Sequence, residues 1–414
     1  MNNYFRRVIS ASLSPNTEAD DVWQAVSALF TPRKWRRGEA IDGITRWLCA
    51  YNNAKQVLFF NSGRSALLAI LKAFDIGVSD EVIIQAFTCV AVPNSVLWAG
   101  ATPIYADIDG TYNLDPKDVE KKITKKTKAI IVQHTFGIPA DVAALQTLAK
   151  KYNVLLIEDC AHALGGVYKG KKLGSFGDAA FYSFGRDKAL SSVWGGAAMI
   201  RGVHITPNEK MKKYHAHLPV PGVSWILQQL LHPIAFSCIL PLYTLGLGKV
   251  LLVVLQKLRL LSVPVYTGEK FGAHPKDFPA QYPNALASLL LLQLTKLDRY
   301  TRVRQQNAQY YTSALAPARG STVPAFIPGA AYLRYPVLVD KPEELCAAAR
   351  KHGILLGNWY HNNIDPAGVD FRAVGYTVGS CPRAEDTARH IINLPTRIHA
   401  GEAKRVAAFC TEHV

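Results

Sequence analysis

Lys188 stands just past a short apolar run, Ala179 to Phe184, and Asp159 closes another that begins at Val154 and ends in the acidic pair Glu158–Asp159. An amine just past the end of one strand and a carboxylate at the end of another are what chemistry on pyridoxal phosphate requires. The amine holds the cofactor aldehyde as a Schiff base. The carboxylate hydrogen-bonds the pyridine nitrogen and keeps it protonated, so the ring can accept electrons from a substrate carbanion. Either residue alone is ordinary. The pair carries meaning because both fall where strands end, which is where open α/β sheets bind ligands.

The elements around the pair are consistent with that placement. Between residues 56 and 175, strand-like runs (VLFF, EVIIQAF, TPIYADI, KAIIVQHTFG, VLLIED) alternate with helix-like ones (NSGRSALLAILKAF, VPNSVLWAG, ADVAALQTLAKKYN). Such alternation predicts an α/β fold with a mainly parallel, doubly wound sheet. The turn NSGRSA joins a strand to a helix N-terminus, where backbone N–H groups face any nearby anion; Gly63, Arg64 and Ser65 are therefore a candidate phosphate cradle. Alone the signal is weak, since Ser and Gly also cap helices. With the Ser183 hydroxyl, five residues before Lys188, it reads as one phosphate site.

Composition narrows the function class. The chain has 414 residues, 49% of them hydrophobic, enough for a large α/β domain with a smaller appendage. Its seven cysteines show neither C-x-x-C pairs nor His/Cys ligand spacing, which argues for reduced thiols and against disulfides or structural zinc. No metal is expected. The N-terminus lacks the apolar core of a signal peptide, so a cytoplasmic setting is expected. The formal net charge of +16 is spread over clusters at 33–37, 121–128, 169–172 and 210–213. No zinc finger, RNP motif or basic zipper accompanies them, so nucleic acid is not the expected partner. Solvated surface lysine accounts for part of the excess, and an anionic membrane surface is the competing explanation.

Several motifs in order, NSGRSALLAIL, DEVIIQAFTCVAVPNSVLWAGATPIYADID, IIVQHTFGIPAD, IEDCAHALGGVYKGKKLGSFGDAAFYSF, PNALASLLLLQLTKLD and PRAEDTARHIINLP, resemble the DegT/DnrJ/StrS sugar aminotransferase family, within fold type I of pyridoxal phosphate enzymes. The resemblance covers nearly the whole chain. It implies that Lys188 is the Schiff-base residue and general acid/base, and that Asp159 binds the pyridine nitrogen. His162, usually Gln and sometimes His in the family, would lie by the cofactor phenolic oxygen. Ser183 and the Gly63–Arg64 amides would meet the phosphate. There are departures. The family's S-F-H-x-x-K reads Ser183-Phe184-Gly185-Arg186-Asp187-Lys188, and the ring-stacking aromatic is replaced by Cys89. The N-Y-R-M stretch, whose Asn reaches the neighbouring subunit's phosphate, matches Pro279-Ala280-Gln281-Tyr282. Arg64 or Arg186 is a candidate to replace that contact.

A further departure is an insertion over about 204–278. Leu218 to Gly248 contains no Asp, Glu, Lys or Arg, and the run KVLLVVLQKLRLL follows. Such a run is a membrane candidate. A single crossing is excluded, because residues on either side belong to one fold. The readings left are a shallow re-entrant helical hairpin, with Trp225 and Tyr243 near the interface, or burial inside protein or a dimer interface. The expected organisation is 1–203 plus 279–315 as the cofactor-binding domain, with one long helix from Tyr282 to Leu315, 204–278 as the insertion, and 316–414 as a small C-terminal domain. The expected function is a homodimeric pyridoxal phosphate-dependent aminotransferase. It would move an amino group from a small-molecule donor to a keto-sugar or lipid-linked acceptor in envelope or glycan biosynthesis, peripheral at the cytoplasmic face of the membrane. The alternatives are a sugar dehydratase, which Lys188 argues against because family dehydratases carry His there, and a silent membrane-associated scaffold.

Overall fold

The apolar runs VIIQ, AIIVQ and LLIED form strands with no inward–outward alternation, as strands covered on both faces must. The computed structural model describes residues 8–243, 245–316 and 321–413. Its central sheet has seven strands: β1 (Leu58–Phe60), β2 (Glu81–Gln85), β3 (Thr102–Ala106), β4 (Thr127–Gln133), β5 (Leu155–Asp159), β6 (Ala179–Ser183) and β7 (Gly196–Ile200). Their order is β1-β7-β6-β5-β4-β2-β3, parallel except for β7, which runs antiparallel to both neighbours. The mixed α/β architecture with a mostly parallel sheet is therefore as the alternation predicts.

Helices cover the sheet. Those used below are α1 (Ala19–Leu29), α2 (Gly63–Ala73), α3 (Val223–Ile239), α4 (Leu247–Lys257), α5 (Asn284–Leu294) and α6 (Leu297–Leu315). The single long helix expected from Tyr282 to Leu315 is two, interrupted at Thr295–Lys296. The Lys296 ammonium is drawn to the start of α1, where it donates to Asp21 at 2.9 Å. In the C-terminal region, strands β8 (Arg334–Val339) and β9 (Ile391–Pro395) pair antiparallel. Two parallel pairings tie this region back to earlier chain: Ile9–Ser10 with Ile354–Leu355, and Thr88–Cys89 with Ile364–Asp365.

The insertion differs from a lipid-embedded hairpin. Helix α3 packs on α1 and α5, burying Trp225, Ile226, Leu230, Phe236 and Ile239. Two of its polar side chains meet protein: Gln229 accepts from the Ser262 hydroxyl at 2.7 Å, and His232 Nε2 faces the Ser14 hydroxyl at 2.8 Å. About a third of the charge-free run is thus buried in protein, and Trp225, expected near a membrane interface, lies within that part. Among the described residues no helix is long and apolar enough to cross a membrane. Helix α4 is different, since Leu247, Val250, Val253 and Val254 are exposed on it.

Candidate active site

Strand register brings the chemistry together. In the β5–β6 pair Asp159 lies opposite Phe181, so the last residues of both strands reach the same C-terminal edge of the sheet. Alternation then separates the acidic pair. Glu158 points to the other face, where its carboxylate accepts from the backbone N–H of Gly174, Phe176 and Gly177 at 2.6–2.8 Å and meets His134 at 3.2 Å. Its oxygens are filled, and its role is structural. Asp159 faces a cavity of about 360 Å³ that is also lined by Gly63, Arg64, Cys89, His162, Ser183 and Lys188. These seven residues singled out in the sequence converge there, as does Arg186, whereas Ser65 does not line the cavity.

The turn after β6 is closed by Lys188 N–H donating to the Gly185 carbonyl at 3.0 Å. Burial lowers the Lys188 ammonium from its ordinary value, opposed by Cys89 and Asp159 and reinforced by Arg334. A depressed amine is the nucleophilic form needed to join an aldehyde. Burial pushes the Asp159 carboxyl up to about 6, although it accepts from Ala161 N–H at 2.9 Å and feels Lys188 and His134. It is a carboxylate short of a cation, as expected of a partner for a pyridinium nitrogen. His162 is held neutral by burial, which drives its imidazolium well below the usual range. Its Nδ1 accepts from Phe136 N–H at 3.2 Å, so the proton sits on Nε2, 3.3 Å from the Tyr360 hydroxyl.

The candidate phosphate cradle is built by close backbone approach. Ser62 caps α2 by accepting from Ser65 N–H at 3.1 Å, and the Ser65 hydroxyl donates to Asn61 at 2.8 Å. Ser65, expected as a phosphate contact, is therefore spent on the turn. A Cβ on Gly63 would come within 3.0 Å of Ser183 Cβ and 3.2 Å of its Oγ, so only glycine leaves the helix N-terminus open beside that hydroxyl. A Cβ on Gly196 would strike the Ser62 carbonyl at 2.4 Å. The site fits pyridoxal phosphate: an amine, an under-compensated carboxylate, a neutral imidazole and an anion cradle share one cavity.

The two arginines considered as phosphate substitutes are engaged elsewhere. Arg64 pairs with buried Glu269, donates to the Pro264 carbonyl at 2.8 Å and sits 5.1 Å from the Trp194 ring centroid. Arg186 donates to the Ser262 carbonyl and hydroxyl at 2.7 and 2.6 Å. Both guanidinium groups thus hold the segment that follows α4 against the cavity. Cys89 remains a protonated thiol, its pKa raised by burial. Sequence reasoning missed Trp359, Tyr360 and Asp365, which also line the cavity. They arrive from the C-terminal region through the pairing of Ile364–Asp365 with Thr88–Cys89, a contact that leaves no local pattern.

Comparison with known proteins agrees with this geometry. A "Pleiotropic regulatory protein" of Geobacillus stearothermophilus is 29% identical over 91% of this chain and 89% of its own length. A dTDP-3-amino-3,6-dideoxy-alpha-D-galactopyranose transaminase of Aneurinibacillus thermoaerophilus is 41% identical over 40% of this chain, which spans 46% of that relative. In fold, the chain superposes on Helicobacter pylori PseC, an aminotransferase involved in the biosynthesis of pseudoaminic acid, with a TM-score of 0.75 over 98% of this chain and 99% of that one, at 21% identity. It also superposes on the PLP form of the sugar aminotransferase Spr1654 of Streptococcus pneumoniae, with a TM-score of 0.72, 95% and 96% coverage and 22% identity. The model of the DegT/DnrJ/EryC1/StrS aminotransferase family matches residues 16–229 and 260–409, leaving 230–259, the later part of α3 and all of α4, between the two blocks. With that match and these residues at the sheet edge, the chain belongs to the DegT/DnrJ/EryC1/StrS aminotransferase family, whose members depend on pyridoxal phosphate.

Proposed function

We propose that this pyridoxal phosphate-dependent aminotransferase moves an amino group from a small amino donor to the keto group of a sugar in glycan or cell-envelope biosynthesis. The observation that carries the reading is the convergence of Lys188, Asp159, His162 and the Gly63–Ser183 cradle on one cavity. Bound pyridoxal phosphate supplies the electron sink for a carbanion. Lys188 holds the cofactor and carries the proton to and from the reacting carbon. Asp159 would keep the pyridine nitrogen protonated, and His162 would serve the phenolic oxygen. The Gly63 and Arg64 amides and the Ser183 hydroxyl would hold the phosphate, and Cys89 would help to hold the ring. Sugar as acceptor class is supported by the names of the relatives, among them GDP-perosamine synthase of Escherichia coli O157:H7.

In the same reading, 1–203 with 279–315 forms the cofactor-binding domain, 316–414 the small domain, and the protein acts as a homodimer. Within the insertion at 204–278, the part outside the family match, 230–259, then serves attachment through its second helix. The outer face of α4, with Leu247, Val250, Val253 and Val254 exposed and Lys249 and Lys257 on the same helix, supports peripheral contact with an anionic membrane at its cytoplasmic face, where a lipid-linked acceptor would be met. Two measurements test the whole. Purified protein should show the absorbance band of lysine-linked cofactor, lose it on addition of a competent amino donor, and regain it with a keto sugar; no spectral response to any amino acid donor would end the reading. Flotation with phosphatidylglycerol vesicles should carry the wild type and not Val250→Asp/Val253→Asp. Monodisperse dimers that ignore such vesicles would transfer the α4 face to a subunit interface.

A further inference from the structure

Lys188 is tied on its amino side by its own N–H, which donates to the Gly185 carbonyl. On its carboxyl side the chain passes through bends, so the carbonyls of Lys188 and Ala189 join neither a helix nor a sheet. Among the described residues neither carbonyl meets a backbone donor. Interior carbonyls of this kind are paired by side chains. Here the donor comes from 172 residues earlier in the chain. Asn16, which has 0% exposure and stands just before α1, donates through Nδ2 to the Lys188 carbonyl at 2.5 Å and to the Ala189 carbonyl at 3.1 Å.

Asn16 is itself held from two helices. Arg304 of α6, also buried, donates through Nη2 to Asn16 Oδ1 and to the Ala189 carbonyl, each at 2.8 Å. A guanidinium can only donate, so it fixes which way the Asn16 amide points: oxygen toward Arg304, nitrogen toward the two carbonyls. The Asn16 carbonyl accepts from Gln293 Nε2 of α5 at 3.1 Å and from the Tyr300 hydroxyl at 3.2 Å. Tyr300 and Arg304 are one turn apart on α6 and so share a face. None of these residues lines the cavity, and what they fix is the backbone from which the Lys188 side chain starts. That start matters because the amine has to meet the aldehyde and later carry a proton at the reacting carbon. A misplacement of about 1 Å at a reacting group costs on the order of 100-fold in rate.

We propose that Asn16, braced by Arg304, is a positioning residue for Lys188. The inference rests on the reading of Lys188 as the cofactor lysine and adds to it the part of the chain that aims the amine. Wild type, Asn16→Ala and Asn16→Asp test it. The aspartate still accepts from Arg304 but turns oxygen instead of N–H toward the two carbonyls, so it keeps the brace, loses the aim, and serves should Asn16→Ala fail to fold. Cofactor-free proteins are mixed with pyridoxal phosphate, quenched with borohydride and digested, and the adduct at Lys188 is followed by mass spectrometry. The rate of capture should fall roughly 10- to 100-fold in both variants. In the donor half-reaction with L-glutamate, kcat should fall by a similar factor while KM stays within about twofold, because the donor's own contacts are untouched. Capture decides alone should L-glutamate not be the donor. Capture within about twofold of wild type in both variants, whatever their thermal stability, would make Asn16 a packing residue at the entry to α1 and overturn the proposal. A wild type that forms no adduct at Lys188 would instead remove the cofactor reading, and the proposal with it.

Discussion

Asp159→Asn should stabilise the cofactor-free protein while disabling it. Asp159 is 3% exposed, and burial raises its carboxyl from 3.8 to about 6. Between those values the unfolded chain has released the proton that the folded chain still holds, so wild-type stability falls as pH rises from about 4 to above 6. A shift of about two pKa units corresponds to about 3 kcal/mol at pH 8, and to about half of that at pH 5. Asparagine keeps an oxygen to accept from Ala161 N–H and does not titrate. Urea unfolding of the cofactor-free proteins at pH 5 and pH 8 should therefore show Asp159→Asn ahead of wild type by a margin that grows with pH. Bound cofactor should reverse the ranking, since a protonated pyridine nitrogen favours the ionised carboxylate, and the variant should lose donor half-reaction rate by orders of magnitude. A margin over wild type that is the same at both pH values, or a variant less stable than wild type at pH 8, would refute the account of Asp159 as an under-compensated carboxylate.

Other perturbations separate the remaining roles. Lys188→Ala should abolish turnover and the borohydride-reducible protein–cofactor adduct while leaving the circular dichroism of the fold intact; an adduct that persists at another lysine would refute the assignment. Gly63→Ala should weaken cofactor retention, because the new methyl meets Ser183 at 3.0 Å, at a cost of about 1–3 kcal/mol; a cofactor dissociation constant equal to wild type would show that the cradle tolerates it. Glu269→Ala leaves the Arg64 guanidinium buried without its carboxylate and should cost about 3–5 kcal/mol in denaturant unfolding. A change below 1 kcal/mol there would show that the segment after α4 is held by other contacts.

The sequence by itself determined the class of chemistry and the sheet that serves it. Alternating apolar runs and helix-like runs dictate a parallel sheet, because strands buried on both faces need crossover helices, and the residues at strand ends then share one edge. Lys188, Asp159, Ser183 and Gly63 were legible for that reason: each is placed by the local pattern of a strand or of the turn that follows it. Tertiary structure decided what no local pattern encodes. The charge-free stretch from Leu218 could be lipid-facing or core, and only the packing of α3 on α1 and α5 placed its apolar side chains inside protein. Ser65 and Arg64 look like phosphate ligands in sequence, yet the first is consumed by the turn and the second by Glu269, more than two hundred residues away. Trp359, Tyr360 and Asp365 reach the cavity through long-range contacts between the C-terminal region and the sheet. Side chains that meet only on folding carry no sequence spacing by which to be found.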